Sequence, residues 1–251
     1  MLTFLTLLNR EIRAFFLSPV AWVVLFFFLL LTGFNFYAGV AALNRGPSEV
    51  TVVEAFFNTV FFWFGFILVL PLVTMRLFSE EYKMGTIEPL MTAPVRDSQV
   101  VLSKYLAALF FFIVLWLPSL LYFVVFQQVT QLDAAGAAGP YIGAYAMLLL
   151  IGMFYLAIGC LTSAMTRNQI IAAVMSFSII ALLFFTGLLS FFILSVTPAL
   201  RELTAYFSAL EHMSEASRGF FDTRPVVFYL SLTVFTLFLT FHVFQSRRWR
   251  S

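Results

Sequence analysis

Arg76, Glu80, Glu81, Lys83, Glu88, Arg96, Asp97 and Lys104 crowd into one short stretch of an otherwise apolar chain. Side chains of these types at this spacing suit ion pairing and contact with a soluble partner. The stretch is sharply punctuated. Gly85 breaks an upstream helix, Thr86 is placed to N-cap a short helix, Glu88 complements the positive end of that helix, and Pro94 stops it. Asp97 or Ser98 then caps a further helix. A short helix held between two long ones is shaped to carry motion from a partner; a plain solvated turn would carry the same charge pattern.

Bond-making chemistry finds little support elsewhere. There is no H-E-x-x-H pair, no paired-aspartate motif, no G-x-S-x-G elbow and no G-x-x-x-x-G-K-S/T phosphate loop. His212 has no second histidine or cysteine beside it and reads as a surface or interface residue; His242 reads as a snorkelling side chain near the end of an apolar run. Cys160, among Ala157, Ile158 and Leu161, reads as a small packed side chain. The chain is therefore expected to be non-catalytic and to bind no metal or cofactor of its own. A net charge of +2 with dispersed basic residues argues against nucleic acid as a partner.

The elements that must position these groups are membrane helices. In a chain of 251 residues, 62% are hydrophobic, 10% are charged, and the mean hydropathy is +1.00. Soluble domains carry about a quarter charged residues. Charge-free runs that cover the roughly 20 residues of a span predict six helices, near Val20–Val40, Phe57–Met75, Tyr105–Phe126, Tyr141–Ala164, Ile170–Leu194 and Val226–Phe244. Arg10, Arg13, Arg76, Lys83, Arg96, Lys104, Arg167, Arg247, Arg248 and Arg250 fall on one side; Arg45, Arg201, Arg218 and Arg224 fall opposite. The positive-inside rule puts both termini and the 76–104 segment in the cytoplasm of a multi-pass protein of the bacterial inner membrane. The first apolar stretch exceeds the roughly 7–15 residues of a signal-peptide core.

Residues 1–18 predict an interfacial helix, with Phe4, Leu5, Leu8, Ile12 and Phe15 on one face and Thr6, Asn9, Arg10 and Arg13 on others. Residues 195–225 predict an extracytoplasmic segment with an amphipathic helix, from the recurrence of Leu203, Tyr206, Phe207, Leu210 and Met213, with Glu202, Glu211 and Glu215 on its wet face. The 34 phenylalanines, dense at Phe56, Phe57, Phe61, Phe62, Phe64 and Phe66, leave two readings open, a route for a hydrophobic substrate or simple packing. Gly152, Gly159 and Ser163 would let helices approach closely.

The stretch F-S-E-E-Y-K-M-G-T-I-E-P-L-M-T-A-P-V from Phe78 to Val95, with Lys104, Tyr105 and Leu106, resembles the signature of ABC-2 type permeases. More narrowly, R-E-I-R-A-F-F-L-S-P from Arg10 to Pro19 and Arg218-Gly219-Phe220-Phe221-Asp222 resemble the gliding-motility GldF-type permease. Pro89 departs from the aliphatic residue expected there. The resemblance implies one all-α transmembrane domain over residues 1–251, of ABC-2 or type V exporter-like form. It would have six spans, a cytoplasmic coupling helix and an extracytoplasmic helix before the last span. It implies a second permease copy, P-loop ATPase subunits that use ATP and Mg, and an auxiliary GldG-like membrane protein with a periplasmic domain. Glu80, Glu81, Gly85, Thr86, Ile87 and Glu88 would contact the ATPase; Asn58, Phe62, Phe66, Ser176, Thr186 and Ser190, on the second and fifth spans, would face the pathway or dimer axis.

The function expected is the permease half of an ATP-driven transporter, with export as the family's commoner direction. A force-transmitting member of an envelope complex is the alternative, and a secondary carrier or channel the third; the lack of Asp, Glu, Lys and Arg within the spans weighs against the last.

Overall fold

Ser18 and Pro19 turn the chain from a surface helix into the first span. Proline at the first helical position needs no N–H partner, so helix α1 (Leu2–Leu17) stops and α2 (Pro19–Leu43) starts with a single extended residue between them. The computed structural model describes residues 2–44, 50–87, 95–130, 138–192 and 206–248. Among them every regular element is an α-helix: α3 (Val52–Phe57), α4 (Val60–Thr74), α5 (Ser79–Met84), α6 (Asp97–Thr130), α7 (Ala138–Met165), α8 (Gln169–Phe192), α9 (Ala209–Ser217) and α10 (Thr223–Arg248). Among the described residues, six segments are long and apolar enough to cross a membrane. Helices α2, α6, α7 and α10 run beyond the apolar runs that predict them, because a helix does not stop where hydrocarbon stops, whereas α4 lies within its run. Helix α6, at 34 residues, reaches roughly 50 Å at about 1.5 Å per residue, so its first turns stand beyond a core about 30 Å thick. Asp97, which the sequence offers with Ser98 as a cap, is instead its first helical residue.

Helix α7 is the axis of packing. Helices α4, α8, α9 and α10 all lie against it, while α1 lies along α6. The small residues of α7 set these approaches. A Cβ at Gly143 would come within 2.5 Å of the Ala216 carbonyl, one at Gly152 within 2.5 Å of the Phe112 ring, and one at Gly159 would overlap the Thr74 side chain. Of the dense phenylalanines, Phe56, Phe57, Phe62 and Phe66 are buried and interlock with Trp116, Phe123 and Tyr155, whereas Phe61 and Phe64 face outward.

The second span differs most from expectation. It is interrupted twice, and each interruption is healed by a polar side chain from a neighbour. At the α9 end, Thr51 and Thr59 N-cap α3 and α4, accepting from the N–H groups of Glu54 and Phe62. The buried Asn35 of α2 donates to the Phe56 carbonyl at 2.9 Å. At the α5 end the helix stops after Thr74, and the Ser163 hydroxyl of α7 accepts from the N–H groups of Phe78 (3.0 Å) and Ser79 (3.2 Å) while donating to the Met75 carbonyl (3.1 Å). One donor and two acceptor positions are thereby all used. Irregular backbone at membrane depth requires such partners.

The amphipathic helix before the last span is shorter than its periodicity suggests. Ser208 accepts from the Glu211 N–H and restarts the helix at Ala209, leaving Tyr206 and Phe207 half exposed ahead of it; Leu203 lies outside the described residues. Ala209, Met213 and Ala216 form its buried face, and Glu215 is exposed.

Overpacking the tightest of these seams is expected to cost about 1–3 kcal/mol. Gly159→Val should lower the unfolding temperature in detergent, whereas Gly139→Ala, where nothing lies within 4 Å, should not. Equal behaviour of the two variants would contradict the packing.

Candidate functional site

Lys104 is 1% exposed, yet it carries an ammonium at the foot of α6. Two carboxylates hold it: Glu11 of α1 at 3.1 Å and Glu81 of α5 at 2.9 Å. The Phe78 ring covers it, with its centroid 5.5 Å from Nζ. Arg10 closes the cluster, bonding Glu11 and reaching Glu81 at 3.4 Å. Two cations and two anions from three elements thus meet at one point. Burial alone would raise the Glu11 carboxyl pKa, but Lys104 and Arg10 together pull it below the ordinary carboxylate range. Glu11 therefore adds stability above its unfolded pKa, and that contribution is lost as pH falls through the lower folded value.

A second link lies beside the first. Arg76 grips Glu80 through two bonds, Nε to Oε2 at 2.7 Å and Nη2 to Oε1 at 2.8 Å, and its third nitrogen donates to Ser18 at the α1–α2 elbow. Fork-to-carboxylate geometry of this kind fixes direction as well as distance. Helix α5 is therefore pinned to α6 and α1 through Glu81, to the elbow through Glu80 and Arg76, and to α7 through Ser163.

Helix α5 ends at Gly85, whose φ of +70° is the left-handed conformation that favours glycine. The N–H groups of Gly85 and Thr86 both close on the Glu81 carbonyl. Lys83, Met84, Gly85 and Thr86 then face solvent, Met84 at 62% exposure, while Tyr82 and Ile87 turn inward. The candidate coupling residues thus divide into two sets. Glu80, Glu81 and Ile87 face the protein; Gly85 and Thr86 face out. Glu88, with Pro89 and Pro94, lies outside the described residues.

The pathway candidates are dispersed. Phe62 and Phe66 stack on each other inside the bundle, with centroids 5.7 Å apart. Asn58 is half-buried at the α3–α4 break, and Thr186 bonds its own helix at the Leu183 carbonyl. Ser176 is fully buried with an unpartnered hydroxyl, and the Ser190 side chain lies outside the described ones. Arg13 is exposed, unlike its neighbour Glu11.

Glu11 is the residue that sequence reasoning missed. It stands in register with Phe4, Leu8 and Phe15 on the buried stripe of α1, and a carboxylate on an apolar stripe signals a buried partner. Ser163 belongs to the seam already read as small, but its capping of a broken helix leaves no mark in the sequence.

At the other end of the bundle Arg218 binds Glu54 at 2.7 Å, tying α9 to α3. His212 Nδ1 lies 3.0 Å from the Tyr229 hydroxyl, and burial, opposed by Asp222, pushes its pKa down to about 4.

A model of the ABC-2 family transporter protein matches residues 13–184. The match takes in α2 to α7 and the site residues Arg76, Glu80, Glu81 and Lys104; Arg10 and Glu11 precede it. No curated protein matches the chain.

Removing one partner of a buried ion pair leaves an uncompensated charge and costs about 3–5 kcal/mol. Lys104→Met should destabilise the protein on that scale in detergent unfolding, and adding Glu11→Gln and Glu81→Gln should recover much of the loss. A single variant as stable as the parent would show that the cluster holds nothing together. Because His212 is neutral when folded and titrates near 6.5 when unfolded, stability should fall as pH drops from about 6.5 toward 4. His212→Asn should remove that part of the pH dependence of the unfolding temperature.

Proposed function

The chain belongs to the ABC-2 family of transporter proteins, and from that membership we propose that it is the transmembrane permease subunit of an ATP-binding cassette exporter, with α5 and the residues after it as the contact for a separate ATPase. The observation that carries this reading is the junction at Lys104. A six-residue helix with an exposed tip is locked by buried charge to α1 and α6. A push on the tip cannot be absorbed by α5 alone.

In this reading ATP and Mg act in the partner, and the permease contributes movement. Lys83, Met84, Gly85 and Thr86 meet the ATPase; Glu80 and Glu81 act one step further in, as braces that carry the load to α1, the elbow and α6. Glu88 would extend the contact surface. The α5 end faces the cytoplasm of the inner membrane, as the excess of arginine and lysine on that side supports. A second copy of the chain completes the transporter. Among the described pathway candidates, Asn58 and Thr186 keep surface that a second copy could meet, whereas Phe62, Phe66 and Ser176 are buried within the protomer.

Force transmission to an auxiliary GldG-like membrane protein is the second reading. Phe220 and Phe221, 72% and 50% exposed beside the Arg218–Glu54 pair, would give such a partner an aromatic foothold at the far end.

Division of labour along α5 sets the test. Charge reversal at Glu81 would set two cations against each other in the core, so the tip is the better probe. Lys83→Glu with Met84→Asp should leave the unfolding temperature unchanged and reduce the copurifying ATPase at least roughly tenfold, which corresponds to about 1.4 kcal/mol of binding. Undiminished copurification, or the absence of any ATPase with the parent chain, would overturn the proposal.

A further inference from the structure

Between α1, α2, α4 and α5 lies a cavity of about 460 Å³ whose walls change character from one end to the other. Arg10, Arg76, Glu80 and Glu81 line it near the elbow and α5; Val24 and Leu72 line it further along α2 and α4. The volume falls within the roughly 300–1,000 Å³ of ordinary ligand sites. Its place is equally specific. It opens beside the elbow where a surface helix becomes a span, and Leu17 and Val20 at its mouth are 80% and 40% exposed. A molecule that filled it would have its polar part at the level of the surface helix and its apolar part along the spans.

The polar end is mixed in sign. The Arg10 guanidinium is half exposed, and Glu80 and Arg76 keep 30% and 28% of their side-chain surface open. Glu81, beside them, is 18% open. With Glu11 and Lys104 also in the lining, a purely anionic ligand would meet three carboxylates there, and a purely cationic one three cations. A zwitterion satisfies both.

We propose that this cavity binds one glycerophospholipid of the adjacent leaflet, with a phosphate against Arg10, a primary ammonium against Glu80 and Glu81, and an acyl chain along Val20, Val24 and Leu72. The lipid wedges the angle between the surface helix and the first span. It thereby stiffens the same junction that ties α1 to α5. The inference goes beyond the transport reading and is tested without an ATPase.

The full chain, delipidated in detergent, is titrated with phosphatidylethanolamine, phosphatidylcholine, phosphatidylglycerol and the tail-free glycerophosphoethanolamine. Unfolding temperature and lipid retention by native mass spectrometry are read. Phosphatidylethanolamine should raise the unfolding temperature by several degrees and remain as a single bound copy. Phosphatidylcholine, which lacks N–H donors, phosphatidylglycerol, which lacks the cation, and the soluble headgroup should each do much less. Ala14→Trp, which projects a ring into the cavity from an exposed position of α1, should abolish the difference; Val20→Trp fills the same space from α2 if the first variant folds poorly. Equal shifts from all three lipids would reduce the effect to the general lipid annulus and overturn the proposal. An equal shift from glycerophosphoethanolamine would make the ligand a soluble phosphate compound, and an undiminished shift in both tryptophan variants would place the lipid elsewhere; either result also overturns it.

Discussion

An ammonium group out of water, with carboxylates from two other elements as its partners, is the interaction on which the organisation of the α5 end depends. Desolvating Lys104, Glu11 and Glu81 costs several kcal/mol for each ion, and only their mutual attraction offsets it. The arrangement is thus stable only when all three elements are in place. Helix α1 could otherwise lie anywhere on the membrane surface, since most of its outer face is suited to the interface. Glu11, together with the stacking of Phe15 on Phe111 at 5.2 Å, gives it one position.

The second span shows the same constraint in the backbone. A helix that breaks within or near hydrocarbon exposes N–H and C=O groups that water cannot reach, so each break needs a donor or acceptor from a neighbour. Asn35 supplies it at one end and Ser163 at the other. The breaks are therefore joints with fixed partners. Gly159, one turn from Ser163, lets α4 come close enough for the hydroxyl to reach. Packing and hydrogen bonding at this joint are one feature.

How much of this was legible depended on whether the signal was local. Span number, the start of α6 near Asp97 and the stop at Gly85 follow from composition, capping and left-handed geometry, all read within a few residues. Ser208, by contrast, restarts α9 where the apolar periodicity runs on unbroken, since a cap overrides a pattern that packing does not enforce. The breaks around Asn58 and after Thr74 were hidden because threonine also sits comfortably inside a helix when its hydroxyl bonds back to the chain, as Thr74 does at 2.9 Å to Leu70. Least legible were the pairings. Glu11 and Lys104 are 93 positions apart, and nothing in either neighbourhood names the other; only the presence of Glu11 on an apolar stripe asks for a partner.

These fastenings bear on how motion can pass through the bundle. Helix α5 is too short to move as a lever by itself, and its inner residues are held by α6, α1, α7 and the elbow at once. Displacing it alone would separate Glu81 from Lys104, Glu80 from Arg76, and the Ser79 amide from Ser163. Each separation leaves a buried polar group unpaired, at roughly 1–3 kcal/mol for a neutral group and more for a charge. Moving α1, α5 and the foot of α6 together keeps the charged contacts and loads only the amide bonds to Ser163 of α7. The cheaper motion is the collective one, and it turns about the second-span joint at Thr74, where backbone continuity is already interrupted and a single serine hydroxyl holds the two halves in line.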